Sequence, residues 1–313
     1  MKWFLLLLAL VAVVLVIWVY GIIPSSIHIQ VARRIPSNQK ALYRSLGDQS
    51  DWNNWWPGEK NTDIRSRTFV LNGHSYHLDD QKASSLEISV SNGKMKLPST
   101  FLFLSTNPDS SIIYWDTKLY TGTNPIGRVR ANSFAEQVED EMKQILDSIA
   151  VYYATIEHLY HFDIRKSSVI DSTLVSTFTT ANGYPGNKLI YGLIDELRAY
   201  IKSHSARETG NPMLNVSTTD SIHFLTRVAI PTDKVLPTSG NISYKRMLGN
   251  ANILLVDVKG GDATVSEAFK QVEYYIRDFS RNSPAIHFFS LTTDRRAEPD
   301  TSKWVTRIYY PLM

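Results

Sequence analysis

The sequence predicts an α+β protein: an antiparallel sheet closed by one long helix, then a pseudo-twofold duplicated βαββ domain, with one N-terminal transmembrane helix ahead of both. Three observations predict it. An uncharged run from Trp3 to Ile23 opens the chain. Short alternating segments separated by Asn-Gly turns then give way to a long stretch of helical period, and the second half carries a repeat at an offset of 75 residues.

At roughly 100–200 residues per domain, 313 residues accommodate two cores. The expected boundaries are 1–24 for the anchor, 25–160 for the first folded domain and 161–313 for the second. Apolar residues at 43% and charged residues at 20% are ordinary for globular material. The net charge is +3, and Lys and Arg are scattered, so no nucleic-acid partner is expected. The chain has no cysteine, which removes disulfides, thiolate metal sites and cysteine nucleophiles; no cofactor is expected.

The opening run is 21 residues long and would span about 30 Å as a helix. It ends in bulky residues with the aromatics Trp18 and Tyr20 rather than in a small-residue cleavage site, which favours an uncleaved anchor over a signal peptide. The expected location is therefore a single-pass membrane protein, with the membrane as a partner and the folded part outside the cytoplasm.

Ile27, Ile29 and Val31 alternate as in a strand, and Pro36 and Ser37 open a short helix bearing Ala41, Leu42 and Leu46. Strands follow at 68–71, 74–78, 85–90, 95–104 and 111–120. Asn72-Gly73 and Asn92-Gly93 stand where tight hairpin turns belong. Ser133 and Glu136 read as a capping box, and Phe134, Val138, Met142, Ile145 and Ile149 recur at helical steps towards Tyr160. Between the first helix and the meander, Trp52, Trp55 and Trp56 crowd five positions of a polar stretch. Such a cluster is either a core plug or a pocket wall.

The passage carrying Pro36, Leu42, Leu46, Asp48, Trp52, Trp55 and Pro57, with the meander and the terminal helix, resembles the helix-grip family (SRPBCC), which includes START lipid-transfer domains and polyketide cyclases. The resemblance covers residues 26–160. It implies an apolar cavity between sheet and long helix, with Trp52, Trp55 and Trp115 as candidate ligand-binding residues.

From Phe162 the pattern strand, helix, strand, strand occurs twice. The helix at 189–205 aligns with that at 264–280, placing Leu197 on Val272 and Tyr200 on Tyr275. Thr264 and Glu267 read as a second capping box, and 231–241 is the loop between copies. Helices on one face and a groove between the halves are expected. "FDIRKSSVIDSTLVSTFTT", the second helix and the ending "LTTDRRAEPDTSKWVTRIYYPL" resemble the GyrI-like domain, the effector-binding domain of bacterial AraC-type and MerR-type regulators. The resemblance implies a cleft that takes hydrophobic, often cationic, small molecules. Tyr191, Phe269, Phe289 and Tyr309 are the candidate cleft residues. Phe289 stands where the family carries a buried glutamate, Leu291 where it carries a tyrosine, and Arg307 replaces a second glutamate, so this chain departs from the cation-binding pattern.

Other motifs point to surface chemistry. His158 and His161 lie three apart without a third ligand, so no metal site is expected. His77 and Asp79 could form an acid–base pair on a strand, and "VKGGDAT" puts two glycines before a helix without the full phosphate-loop pattern. The expected function is a membrane-anchored binding protein for hydrophobic small molecules or lipids. A hydrolase or cyclase acting on an apolar molecule, and a protein-interaction module without ligand, are the alternatives.

Overall fold

The computed structural model describes residues 2–312 except 62–67, 171, 219, 221, 248 and 284. The chain divides into two compact units, 1–155 and 156–313. The elements of the first are α1 (Lys2–Ile22), β1 (Ser26–Ile35), α2 (Gln39–Gly47), α3 (Trp52–Trp55), β2 (Thr68–Leu71), β3 (His74–Lys82), β4 (Ser85–Ser91), β5 (Lys96–Asn107), β6 (Ser110–Tyr120) and α4 (Pro125–Tyr152). The strands form one antiparallel sheet in the order β1-β6-β5-β4-β3-β2. Asn72 and Gly73 both have positive φ, as the two-residue turn between β2 and β3 requires.

The transmembrane helix expected at 1–24 is corrected: among the described residues, no helix is long and apolar enough to cross a membrane. A spanning segment needs about 20 apolar residues free to face lipid. The last turn of α1 is committed to protein instead. Val19 and Ile23 are buried. The Arg128 guanidinium of α4 lies 4.3 Å from the Tyr20 ring centroid and donates to the Ile23 carbonyl at 2.9 Å. Tyr20 also donates its hydroxyl to the Thr123 carbonyl. The single-pass membrane location and the membrane as a partner fall with the helix.

The long helix α4 starts earlier than the Ser133 capping box predicts. Asn124 is the N-cap, accepting from the Ile126 and Gly127 amides, and Pro125 occupies the first helical position. Ser133 therefore lies inside the helix, where its spacing to Glu136 caps nothing.

The tryptophan cluster is core. Trp52 stacks on Trp56 at 5.8 Å and meets Trp55 and Phe69 at 5.2 Å each. Trp56 passes the packing on to Tyr76, and Tyr76 to Trp115. Three of the indole N–H groups are satisfied locally, Trp52 donating to the Leu46 carbonyl, Trp56 to the Val70 carbonyl and Trp115 to Ser99 Oγ. Gly58 sits so close to this corner that a Cβ there would fall 2.2 Å from the Val70 carbonyl oxygen. Next to this aromatic chain, Glu141 of α4 accepts from Tyr76 Oη at 2.5 Å and from His74 Nδ1 at 2.9 Å, all three residues being buried.

The second unit comprises α5 (Ile156–Tyr160), β7 (Arg165–Ser168), β8 (Ser172–Asn182), α6 (Asn187–Ser203), β9 (Met213–Thr218), β10 (His223–Thr232), β11 (Ser243–Met247), β12 (Asn252–Lys259), α7 (Asp262–Asp278), β13 (Phe288–Leu291) and β14 (Val305–Pro311). Its sheet runs β11-β8-β10-β9-β13-β14-β12-β7. The order is the same read from either end with the copies exchanged. α6 and α7 are each 17 residues long and begin 75 residues apart, the offset of the sequence repeat. The halves join at the centre, where Phe289 of β13 pairs with Leu214 of β9.

The sequence repeat omits one feature of each copy. A leading strand, β7 or β11, precedes each βαββ unit and pairs with the other copy: β7 with β12, and β11 with β8. Both leading strands are short and polar, so they lack the alternation by which strands are recognised. Thr264 does not cap α7; Gly261 does, and Gly260 before it has φ of +144°, where a Cβ would strike Thr264.

Candidate functional site

Strand alternation gives the second sheet two faces. Leu214, Phe289, Thr306 and Ile308 face the helices, and Val175, Val228 and Ile230 do so in the first copy, where they pack with Ile190, Ile194 and Leu197 of α6. Where the two halves meet, α6 and α7 leave the centre of the sheet uncovered. A cleft of about 470 Å³ opens there, within the ordinary size of small-molecule sites.

Its wall is aromatic. Phe269 of α7 lies 4.4 Å from the His287 ring and 5.7 Å from Phe289. His287 stacks nearly parallel to Tyr310 at 5.8 Å, and Tyr310 meets Phe269 at 6.0 Å. Phe269, His287 and Phe289 line the cleft with Ile190 and Val265. Burial holds the His287 imidazole below the ordinary histidine range, so the ring is neutral near pH 7.

The polar end is built from the helix starts. Gly186 and Gly261, the N-caps of α6 and α7, carry no capping side chain, and Gly186 and Asp262 line the cleft. Arg295 comes up beside them with its side chain only 7% exposed. It donates to Asp262 Oδ1 at 2.7 Å and to Thr306 Oγ1 at 3.1 Å, and its guanidinium lies 4.6 Å from the Trp304 ring centroid. The arrangement offers an apolar ring-stacking wall and, at one end, a fixed polar anchor. Among the described residues no group of three His, Asp or Glu side chains is placed to hold a metal.

The structure distributes the sequence candidates unevenly. Phe269 and Phe289 lie together in the cleft. Tyr191 is buried in the α6 core beside it, where its hydroxyl receives the Arg295 amide at 2.7 Å. Tyr309 lies on the opposite face, stacked on Phe288 at 4.8 Å, and Arg307 on that face pairs with Asp257 at 2.6 Å. Trp52, Trp55 and Trp115 belong to the filled core of the first unit. A depression of about 510 Å³ in that unit is lined by polar groups such as Asp48, Asn53 and Gln81, and by none of those tryptophans. His77 bonds Asp79 within β3, and Asp79 also meets Ser89 and Lys96.

His287, Tyr310 and Arg295 were missed. The register that pairs Phe289 with Ile308 puts Tyr310, two residues on, in phase with the cleft, and Tyr309 out of phase. Adjacent tyrosines in one sequence do not reveal which is in phase until the partner strand is known.

No family profile matches the sequence, and no curated protein matches it. Solved structures similar to this chain include the EcmrR C-terminal domain, at 12% identity over 49% of this chain and 98% of that one, with a TM-score of 0.43. A complex of EcmrR with DNA matches at 14% identity over 61% of this chain and 72% of that one, with a TM-score of 0.44. SAV2435 bound to tetraphenylphosphonium matches at 15% identity over 48% of this chain and 94% of that one, with a TM-score of 0.34. The repeat, the strand order and the cleft stand on the geometry above. The expectation of no nucleic-acid partner is withdrawn, since scattered surface charge does not exclude such a partner. Nothing in these comparisons supports the helix-grip resemblance.

Proposed function

We propose that the second unit binds a small, apolar, ring-bearing molecule in the cleft between α6 and α7. The observation that carries the reading is the aromatic wall of Phe269, His287 and Phe289 facing an open volume of about 470 Å³. Aromatic side chains left partly uncovered in a concavity retain stacking capacity for a flat ligand, each well-placed pair contributing about 0.5–1.5 kcal/mol beyond its area. The polar end, with Arg295 fixed between Asp262 and Thr306, orients one edge of such a ligand.

The test is a ligand-observed NMR screen of neutral bicyclic aromatics against the full chain, repeated on Phe269→Ala and Phe289→Ala. Removing one wall ring should weaken a cleft ligand about tenfold, the equivalent of roughly 1.4 kcal/mol. A screen with no hit sensitive to either variant refutes the reading.

A further inference from the structure

The geometry points to a second binding site, on the opposite face of the same sheet, for an aliphatic carboxylate of medium chain length. A concavity of about 650 Å³ lies there, away from α6 and α7. Its floor is aliphatic and adaptable: Leu174, Met213, Met247 and Ile253, with Phe288 as the one aromatic side chain. Methionine fills irregular space and follows the shape of a flexible chain. The helix-side cleft, by contrast, presents rings.

Charge selects the head group. Among the described residues, the lining of this concavity includes the cations Arg227 and Lys245, with Arg246 beside them, and no aspartate or glutamate. Arg227 of β10 is held in place by neutral acceptors, Asn215 Oδ1 and Ser217 Oγ, each at 3.1 Å. Its charge is therefore oriented by these bonds without being cancelled by them. Lys245 and Arg246 come from β11, the exchanged leading strand, and both are exposed at the rim. Asp257 on this face is engaged by Arg165 and Arg307 outside the lining, and Asp233 is engaged by Arg207. An apolar floor under a cationic rim matches a ligand with an alkyl body and an anionic end, because charge-assisted hydrogen bonds to a carboxylate are the strong ones.

The site is independent of the helix-side cleft and stands or falls separately. Full-length protein is irradiated with a decanoate analogue bearing a diazirine at its chain end, and the labelled peptides are located by mass spectrometry. Label is expected within 213–218, 243–247 or 285–288. Decanoate should compete at least tenfold more effectively than 1-decanol, and decyltrimethylammonium should not compete. Octanoate should be roughly tenfold weaker than decanoate, since each buried methylene contributes about a fourfold factor. The variant Lys245→Glu, changed at an exposed position, should lose labelling at least tenfold with an unaltered urea midpoint, while Phe289→Ala should label as the wild type does. Absence of label on these strands, label on α1 or the helix-side cleft instead, equal competition by the ammonium, or indifference to charge reversal overturns the proposal.

Discussion

Glu141→Ala removes the acceptor shared by two buried donors. Glu141 is 3% exposed, His74 6% and Tyr76 fully buried, so water does not replace the carboxylate once it is gone. Tyr76 Oη would lose its bond at 2.5 Å and His74 Nδ1 its bond at 2.9 Å. Burial, reinforced by the carboxylate that accepts its proton, pushes the Tyr76 phenol up, so it stays a donor and an orphaned one in the variant. Each buried group left unmade costs about 1–3 kcal/mol, and breaking a buried ionic pair about 3–5 kcal/mol. A loss of about 3–5 kcal/mol is expected, a large share of a domain's ordinary stability. Urea unfolding followed by tryptophan fluorescence reads it cleanly, because every tryptophan except Trp304 precedes residue 156. The triple variant Glu141→Leu/His74→Leu/Tyr76→Phe, which removes donors and acceptor together, should recover most of the loss. A cost under about 1 kcal/mol for Glu141→Ala, or a triple variant no better than the single one, refutes the view that this cluster is tied together by its shared acceptor.

Three further outcomes are expected. Gly58→Ala forces a Cβ against the Val70 carbonyl that Trp56 uses as its acceptor, and should lower the urea midpoint by about 1–3 kcal/mol equivalent with a shift in tryptophan emission. Asn124→Ala should cost about 1 kcal/mol and increase amide exchange in the first turn of α4, whereas Ser133→Ala should change neither. His287 is neutral in the folded protein and becomes protonated at about 6.5 in the unfolded chain. Below that pH the unfolded state binds more protons, so the second unit loses stability as pH falls from about 6.5 and gains nothing from this group above it. Exchange rates of β13 and α7 amides should rise on acidification in the wild type and respond less in His287→Phe.

What the sequence exposes depends on which interactions leave a local signature. The repeat is legible because Leu197 and Val272, and Tyr200 and Tyr275, occupy equivalent helical positions, and α6 and α7 duly begin 75 residues apart. The antiparallel meander is legible through Asn72-Gly73 and Asn92-Gly93, which favour turns: the first forms a two-residue turn and the second lies in the short connection between β4 and β5. The start of α4 was misplaced because Ser133 and Glu136 imitate a cap, while the side chain that accepts the first amides is Asn124, followed by a proline. Nothing local marks the exchange of β7 and β11, since pairing between strands so distant in sequence leaves no trace in either segment. The apolar run at the N-terminus is legible as a helix, but its last turn is held by Arg128, more than 100 residues downstream, which a hydropathy reading of the run does not include.

The same limit explains the division of the candidate cleft residues. Phe288 and Phe289 are neighbours, as are Tyr309 and Tyr310, and in a strand neighbours serve opposite faces. Pairing Phe289 with Ile308 commits Phe289 and Tyr310 to the side of the helices, and pairing Phe288 with Tyr309 commits those two rings to the open side. One register shift by a single residue would exchange the two surfaces entirely, sending Arg307 under the helices and Thr306 outward. Asp257 would stay on the open face, so Arg307 would be buried without its partner beside Val256 or Val258, and desolvation of that unpaired charge opposes the slip. The alternation of β14, with Thr306 and Ile308 buried and Arg307 turned to Asp257 on the open face, thus sets the register and with it which rings reach the cleft.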